Sequence, residues 1–249
     1  MIIEYYRPQK ITEAVEILKK KGLAIPIGGG TSLNRLKEDV IVVDLQDLKL
    51  SYIKNSGKRI FIGSMTTLEQ VKEYFRENES LQKALKIEGS KNQRTQSSLG
   101  GFLTLADGRS PLLTCFLTLG CTVFYVEEEK GIPLNKFLDN RNNEKKLITH
   151  ISIDNPTELT FETVSRSPLD LPIVCCAVFR IENGLRAAVG GFGEAPQLVP
   201  ADYFTEKKNT DISKLMQFST DEWASANYRA SIAQIILERS CTPSKKGDQ

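Results

Sequence analysis

Apolar residues in the first part of the chain follow a helical period and then a strand period. A helix is predicted by apolar positions at helical spacing, namely Ile11, Ala14, Val15 and Leu18. Two short apolar runs, 23–27 and 40–45, predict buried strands, and the second is rich in β-branched residues. The pattern therefore predicts a small helix–strand–turn–strand unit that ends near Leu50.

The central part of the chain also alternates between strands and helices. Strands are predicted over 59–63, 121–126 and 147–153, and helices over 68–75, 81–87, 111–119 and 134–138. The polar stretch 89–98 shows neither period and is predicted to be irregular. This alternation predicts a second α/β unit.

The pattern changes after the turn at Pro156. Three strands are predicted, over 159–165, 173–181 and 185–189. A final helix is predicted over 221–241 by one apolar stripe, made of Trp223, Ala226, Ala230, Ala233, Ile236 and Leu237, with Arg229 lying off it. The predicted domains are 1–55, 56–156 and 157–243, and the tail 244–249 is expected to be disordered.

Two glycine segments carry the candidate chemistry. One is Ile27-Gly28-Gly29-Gly30-Thr31-Ser32-Leu33-Asn34, and the other is Ser97-Ser98-Leu99-Gly100-Gly101. Because glycine has no Cβ and adopts positive φ without strain, a ligand can approach the main chain closely at such turns. Successive backbone N–H groups there form a concave anion site, which neighbouring hydroxyls extend. Two such turns predict a site for the two phosphates of a dinucleotide such as FAD.

Composition narrows the class of protein. The chain has 249 residues, of which 40% are hydrophobic and 26% charged, and its formal net charge is +2. These values are ordinary for a globular protein and give no reason to expect nucleic acid or an anionic membrane as a partner. No apolar run approaches the roughly 20 residues that span a bilayer, and the first residues lack the pattern of a signal peptide. A cytoplasmic location is therefore expected.

Cysteine and histidine usage argues against a metal centre in this chain. The five cysteines form no CxxC pair and show no familiar iron–sulfur spacing; they are Cys115, Cys121, Cys175, Cys176 and Cys241. His150 is the one histidine, so a structural zinc site has no paired Cys and His ligands. We expect a structural or surface role for His150 and reduced, mostly buried thiols.

Taken together, these segments resemble the FAD-binding subunit of the molybdenum hydroxylases, the xanthine dehydrogenase and carbon monoxide dehydrogenase family. Residues 28–33 are similar to the family's Ala-Gly-Gly-Thr-Asp-Leu, and 62–67 to its Ile-Gly-Ala-x-Thr-Thr. Residues 94–102 are similar to Arg-Asn-x-Ala-Thr-Ile-Gly-Gly-Asn. Further matches lie at 6–8, 165–170, 190–191 and 227–229, so the resemblance runs over nearly the whole chain.

The resemblance implies an α/β (α+β) fold in which two α/β subdomains clasp FAD, the PCMH-type FAD-binding fold, followed by a C-terminal antiparallel sheet with helices. It implies an oxidoreductase subunit that takes electrons from an iron–sulfur subunit and passes them through FAD to NAD or another acceptor. A separate subunit would hold the molybdenum cofactor. The expected FAD-binding residues are Ile27, Gly28, Gly29, Gly30, Thr31, Ser32, Leu33, Asn34, Arg94, Ser98, Leu99, Gly100, Gly101 and Asp107.

Some positions depart from the family pattern. Phe102 stands where the family usually has Asn, and Pro111 stands where it has an Asp near the flavin ring. Asp107 is the candidate replacement for that carboxylate. Arg94 either holds a phosphate or ribose or ties down the polar loop through a salt bridge.

The residues leave three functions open. The first is the FAD-binding electron-transfer subunit, and the second is a flavin-free docking or assembly protein of the same fold, suggested by Phe102 and Pro111. The third is a stand-alone flavin reductase, although no acid stands out as a proton donor to its substrate. The first is the favoured interpretation, and FAD is the expected cofactor.

Overall fold

The structure is a computed structural model that describes residues 1–31, 38–126, 128–141, 146–168, 170–205 and 211–241. Its strands are β1 Ile2–Tyr6, β2 Ala24–Ile27, β3 Val40–Asp44, β4 Ile53–Ser56, β5 Arg59–Gly63, β6 Thr122–Tyr125, β7 Ile132–Pro133, β8 Ile148–Asp154, β9 Leu159–Val164, β10 Val174–Ile181, β11 Gly184–Gly190 and β12 Gln197–Val199. Its α-helices are α1 Ile11–Lys20, α2 Leu68–Tyr74, α3 Glu79–Glu88, α4 Lys91–Gln96, α5 Leu99–Leu105, α6 Pro111–Thr118, α7 Leu134–Asn140 and α8 Ala226–Cys241.

The first sheet is parallel and has the strand order β1-β3-β2. Ile27, the last residue of β2, pairs with Asp44 at the end of β3. Helix α1 buries Ala14 and Val15 in the core of this sheet. Strand β1 was not predicted from the sequence. It is an edge strand with most of its residues exposed, so its hydrophobic and polar residues do not alternate.

The second sheet is antiparallel and has the order β4-β5-β8-β6-β7. Its central strand is β8, in which Ile151 pairs with Ile62 on one side and Val123 on the other. All three of these side chains are fully buried. Both sheets belong to the first of two compact units, which comprises residues 1–76, 89–105 and 120–155.

The second unit comprises residues 77–88, 106–119 and the chain from 156 onward. Its antiparallel sheet has the order β12-β11-β10-β9. Every residue of helix α6 is buried, as its long apolar run predicts. The predicted α/β fold with a C-terminal antiparallel sheet is confirmed, whereas the division into three domains at 55 and 156 stays a prediction. Among the described residues, no helix is both long and apolar enough to cross a membrane.

Two local predictions are wrong. The polar stretch 89–98 contains helix α4, which begins with a capping box between Ser90 and Gln93 rather than with an apolar stripe. The last helix begins at Ala226 rather than at 221, because the Asp221 carboxylate accepts hydrogen bonds from the N–H groups of Trp223 and Ala224 and holds a turn there. The tail at 244–249 lies outside the described residues.

Arg229 lies off the apolar stripe of α8, as expected, yet it is fully buried. Its guanidinium donates two hydrogen bonds of 2.9 Å to the Asp221 carboxylate and one of 3.0 Å to the Ile173 carbonyl. Burial alone would raise the pKa of Asp221, but the bonds from Trp223 N–H, Arg229, Ala224 N–H and Arg109 outweigh it and lower the pKa to about 2. The buried charge is therefore paired.

A second buried carboxyl lies where α3 ends. Glu88 accepts hydrogen bonds from Ser110 Oγ at 2.8 Å and Leu112 N–H at 3.1 Å, at the start of α6. Burial raises the pKa of Glu88 to about 7, although these two bonds oppose the shift, and the charge of Asp107 raises it further. The ordinary pKa of a glutamate is 4.5. At a pH between 4.5 and about 7, Glu88 is therefore protonated in the folded chain and ionised in the unfolded chain.

We expect Glu88→Gln to remove a pH dependence of stability. In the wild type, the free energy of unfolding should fall by up to about 3 kcal/mol as the pH rises through this window, because ionised Glu88 is disfavoured in the fold. The variant keeps an acceptor oxygen for Ser110 but carries no charge, so its advantage over the wild type should grow with pH. Urea unfolding at several pH values measures this.

The matched control is Glu79→Gln, which changes an exposed glutamate on the same helix. It should leave the pH dependence of the wild type in place. Identical pH profiles for Glu88→Gln and the wild type would contradict the assignment.

Candidate cofactor-binding site

An open pocket with a cavity volume of about 90 Å³ lies within the first unit. The lining residues are Pro26, Gly28, Leu45, Ser64, Met65, Ser98, Gly100, Gly101, Thr104, Lys146, Leu147 and Ile148. Four of the residues expected to bind FAD are thus brought together here, from segments far apart in the sequence: Gly28, Ser98, Gly100 and Gly101.

The first glycine segment leaves the sheet directly after β2. The Ile27 carbonyl still accepts a hydrogen bond from Leu45 N–H at 3.0 Å, and the chain then turns. Gly30 adopts a positive φ of 68°, which favours glycine. Within the described part of the chain, the N–H groups of Gly28, Gly29 and Gly30 donate no hydrogen bond. These donors are therefore available to an anion.

The second glycine segment is not a turn, which corrects the prediction of two equivalent cradles. It forms the first turn of α5, and neither Gly100 nor Gly101 has a positive φ. The N–H of Gly100 donates to the Ser64 carbonyl at 2.8 Å, and that of Gly101 to Ser98 Oγ at 3.3 Å. Leu99 N–H likewise donates to the Thr66 carbonyl at 2.8 Å. All three amides are therefore hydrogen-bonded within the protein, and the role of this segment in binding stays a prediction.

A short backbone pairing between two segments supplies hydrogen-bond acceptors for amides of this region. Thr67 and Ser98 form an antiparallel bridge, flanked by hydrogen bonds from Leu68 N–H to the Ser97 carbonyl and from Leu99 N–H to the Thr66 carbonyl. Segment 64–68 therefore lies along segment 97–100. The pairing fixes the start of α5 next to the end of β5, so both reach the pocket.

The first glycine segment packs directly against this junction. A Cβ on Gly29 would lie 1.5 Å from the Gln96 carbonyl oxygen, and a Cβ on Gly28 would lie 2.3 Å from Ser98 Oγ. Neither distance is possible for real atoms. Gly28 and Gly29 are therefore required for close packing of the two segments, whatever ligand the turn holds.

Arg94 forms a salt bridge, which is one of the two roles that the sequence left open. Its guanidinium forms a 2.6 Å ion pair with Glu69 and also donates to the Gly89 carbonyl. Only 8% of its side chain is exposed. The salt bridge ties α4 to α2, and Arg94 is not among the residues that line the pocket.

The other expected site residues have different surroundings. Leu99 is fully buried, and Thr31 is exposed. Asp107 belongs to the second unit, where its carboxylate accepts a hydrogen bond from Arg109 N–H at 2.9 Å. Ser32, Leu33 and Asn34 lie outside the described residues. Their roles in binding stay predictions.

His150 and the described cysteines do not line the pocket. His150 stacks on Phe124 with ring centroids 4.4 Å apart, and burial lowers its pKa. Cys115, Cys121, Cys175 and Cys176 are buried free thiols. Burial raises the pKa of Cys175 to about 12, which removes thiolate reactivity near neutral pH.

Three residues that line the pocket were not predicted from the sequence. Lys146, Leu147 and Ile148 enter it from the start of β8, which reads in sequence only as a buried strand. Lys146 forms a 2.7 Å ion pair with Glu128. No local motif marks these residues, because the strand order β5-β8-β6 brings them to the pocket.

Comparison with known proteins gives this site its context. Residues 1–156 match the family described as the FAD binding domain in molybdopterin dehydrogenase. The chain belongs to this family. The predicted resemblance is therefore confirmed, and FAD is the cofactor of this oxidoreductase component. The matched segment contains every residue of the pocket.

Relatives of this chain include proteins with and without an assigned role. It is 27% identical over 230 residues to the uncharacterized protein YgfM of Escherichia coli K12, covering 87% of this chain and 84% of YgfM. It is also 27% identical over 173 residues to the nicotinate dehydrogenase FAD-subunit of Eubacterium barkeri. That match covers 61% of this chain and 58% of the relative.

Solved structures share the fold. A chain of quinoline 2-oxidoreductase from Pseudomonas putida 86 superposes with a TM-score of 0.77 at 21% identity, covering 96% of this chain and 95% of the other. A chain of the Cu,Mo-CO dehydrogenase gives a TM-score of 0.76 at 20% identity, with 96% of both chains covered. The predicted fold is thus confirmed over nearly the whole chain.

The residues present fit the diphosphate part of FAD. The turn at Gly28–Gly30 offers unpaired N–H groups beside the pocket, and the Ser64 hydroxyl, which is buried, has no hydrogen-bond partner among the described residues. A buried hydroxyl without a partner is uncommon in a folded protein, and an anionic ligand in the pocket would accept hydrogen bonds from both kinds of donor.

We expect Gly101→Ala to weaken FAD binding without unfolding the chain. A Cβ there would meet only Ser98 Oγ, at 3.2 Å, and would otherwise occupy open space at the pocket. Because Ala is favoured over Gly inside a helix by about 1 kcal/mol, the melting temperature should be unchanged or higher. The dissociation constant for FAD, measured by fluorescence quenching, should rise about tenfold or more, since the methyl group excludes the ligand.

Two further variants complete this test. Gly29→Ala should lose both FAD and thermal stability, because the new Cβ collides with the Gln96 backbone. Gly22→Ala, where a Cβ meets nothing within 4 Å, is the control and should bind FAD normally. Wild-type affinity in Gly101→Ala would show that the start of α5 does not face the cofactor.

Proposed function

We propose that this chain is the FAD-binding electron-transfer subunit of a multi-subunit molybdenum hydroxylase. In this proposal an iron–sulfur subunit supplies electrons, a further subunit holds the molybdenum cofactor, and NAD or another acceptor receives the electrons. FAD, when bound, supplies the redox chemistry that connects the partner's centres with that acceptor. The chain itself contributes binding, orientation and exclusion of water.

The observation that carries the proposal is the set of unpaired N–H groups at Gly28, Gly29 and Gly30, beside a pocket in the segment that matches the family. These donors suit a pyrophosphate because the main chain supplies fixed partial positive charge without a basic side chain. The pocket wall adds the Ser64 and Ser98 hydroxyls and the apolar side chains of Leu147 and Ile148. Such a mixture of polar and apolar groups suits a dinucleotide.

The partner roles are supported by the similar proteins and by the composition of this chain. The name of the Eubacterium barkeri relative describes an FAD subunit of nicotinate dehydrogenase, so that protein is one component of an assembly. The present sequence holds five cysteines and one histidine, without the spacings that bind iron–sulfur clusters. The reducing electrons therefore have to come from another chain.

We expect FAD to be bound without a covalent bond. Covalent flavin attachment in this fold generally uses His or Cys, and the described residues that line the pocket include neither. Acid precipitation of the loaded protein should release all flavin into the supernatant, where its absorbance is measured. Flavin retained in the precipitate would refute the proposed mode of binding, and a protein that takes up no FAD would favour the docking or assembly function.

We also expect the isolated chain to lack substrate oxidation activity. The FAD-loaded chain should not lose its flavin absorbance when mixed anaerobically with nicotinate or another nitrogen heterocycle, whereas chemical reduction by dithionite should bleach it. Co-purification should recover a cysteine-rich small subunit and a large molybdenum-binding subunit. Bleaching by such a substrate in the isolated chain would instead support a stand-alone flavoenzyme.

A further inference from the structure

Ser64 lies at the wall of the pocket with its backbone fixed on both sides. Its N–H donates to the Thr149 carbonyl at 2.9 Å, and its carbonyl accepts from Gly100 N–H at 2.8 Å. These bonds attach the residue to β8 and to α5. The main chain at Ser64 therefore cannot shift easily, and only the side chain is free to change its rotamer.

The Ser64 hydroxyl is unsatisfied in the chain by itself. The residue is 3% exposed, and Oγ has no hydrogen-bond partner among the described residues. A buried hydroxyl without a partner destabilises a fold, so such groups are uncommon and call for an explanation. Ser64 also stands where the similar motif Ile-Gly-Ala-x-Thr-Thr has Ala. In the described residues, no hydrogen bond of the fold uses this hydroxyl.

The location of Ser64 points to the missing partner. It lines the same pocket as Gly28, and a Cβ on Gly28 would lie 3.3 Å from the sulfur of the adjacent Met65. Ser64 is thus beside the turn that carries the unpaired N–H groups. Its hydroxyl therefore belongs to the wall of the same cavity as a ligand held by that turn.

We propose that Ser64 Oγ donates a hydrogen bond to the pyrophosphate of FAD bound in this pocket. The inference rests on the proposed binding of the pyrophosphate by the Gly28–Gly30 turn. It makes Ser64 an affinity-determining residue that the family motif does not contain. A hydrogen bond from a neutral donor to a charged acceptor is stronger than one between neutral groups, so its loss should be measurable.

The experiment compares the wild type with Ser64→Ala and Ser219→Ala in the full chain. Ser219 is the matched control because its hydroxyl is also buried and unpartnered, but it lies in the second unit and does not line the pocket. The measurements are the melting temperature without FAD, the dissociation constant for FAD, and the ³¹P NMR spectrum of the bound cofactor.

Ser64→Ala should bind FAD about 5- to 50-fold more weakly than the wild type and should shift a ³¹P resonance of bound FAD. Without FAD, its melting temperature should be unchanged or higher, since an unsatisfied polar group has been removed. Ser219→Ala should match the wild type in FAD affinity and in the ³¹P spectrum.

Three outcomes would overturn the inference while leaving the proposed function standing. These are unchanged FAD affinity in Ser64→Ala, weaker affinity with an unchanged ³¹P spectrum, and a fall in the melting temperature of the FAD-free variant. The last would show that the fold itself uses the hydroxyl. If the wild type binds no FAD at all, the proposed function fails first, and this result is distinguishable from the other three.

Discussion

The candidate site depends on the backbone pairing of segment 64–68 with segment 97–100. Its hydrogen bonds run in both directions, from Leu68 N–H to the Ser97 carbonyl and from Leu99 N–H to the Thr66 carbonyl. They attach the end of an antiparallel strand to the start of α5 and thereby form one wall of the pocket. Because a buried N–H has to find a partner, this pairing also determines which amides remain free for a ligand. The amides at the start of α5 are hydrogen-bonded within the protein, whereas those of the Gly28–Gly30 turn have no partner in the part of the chain that the structure describes.

The two glycine segments consequently have different structures, a turn and the start of a helix, despite their similar sequences. Gly28 and Gly29 allow the first turn to contact Gln96 and Ser98 at distances that no side chain permits. Gly30 supplies the positive φ that the turn requires. Gly101 instead lines the pocket at the first turn of a helix, where an added Cβ would meet only Ser98 Oγ within 4 Å. The glycines of the two segments therefore have different structural surroundings.

Much of this arrangement was predictable from the sequence, and the failures have physical causes. Buried strands such as β3 and β8 and the apolar helix α6 follow from hydrophobic periodicity, which reports burial directly. Strand β1 and helix α4 could not be found in this way, because one is exposed and the other is held by a capping box and the Arg94–Glu69 ion pair. Both glycine motifs contribute residues to the pocket. They could not reveal that the second motif is helical, since that depends on a partner segment remote in sequence.

The departures from the family pattern have structural explanations that leave the phosphate side intact. Phe102 is buried on α5, where an apolar side chain suits the core, and Pro111 occupies the first turn of α6 behind the N-cap Ser110, a position that favours proline. Neither substitution alters an N–H of the Gly28–Gly30 turn. A cradle of main-chain N–H groups persists under side-chain substitution as long as the turn folds. The Gly28–Gly30 turn therefore keeps its donors although two positions of this chain depart from the family pattern.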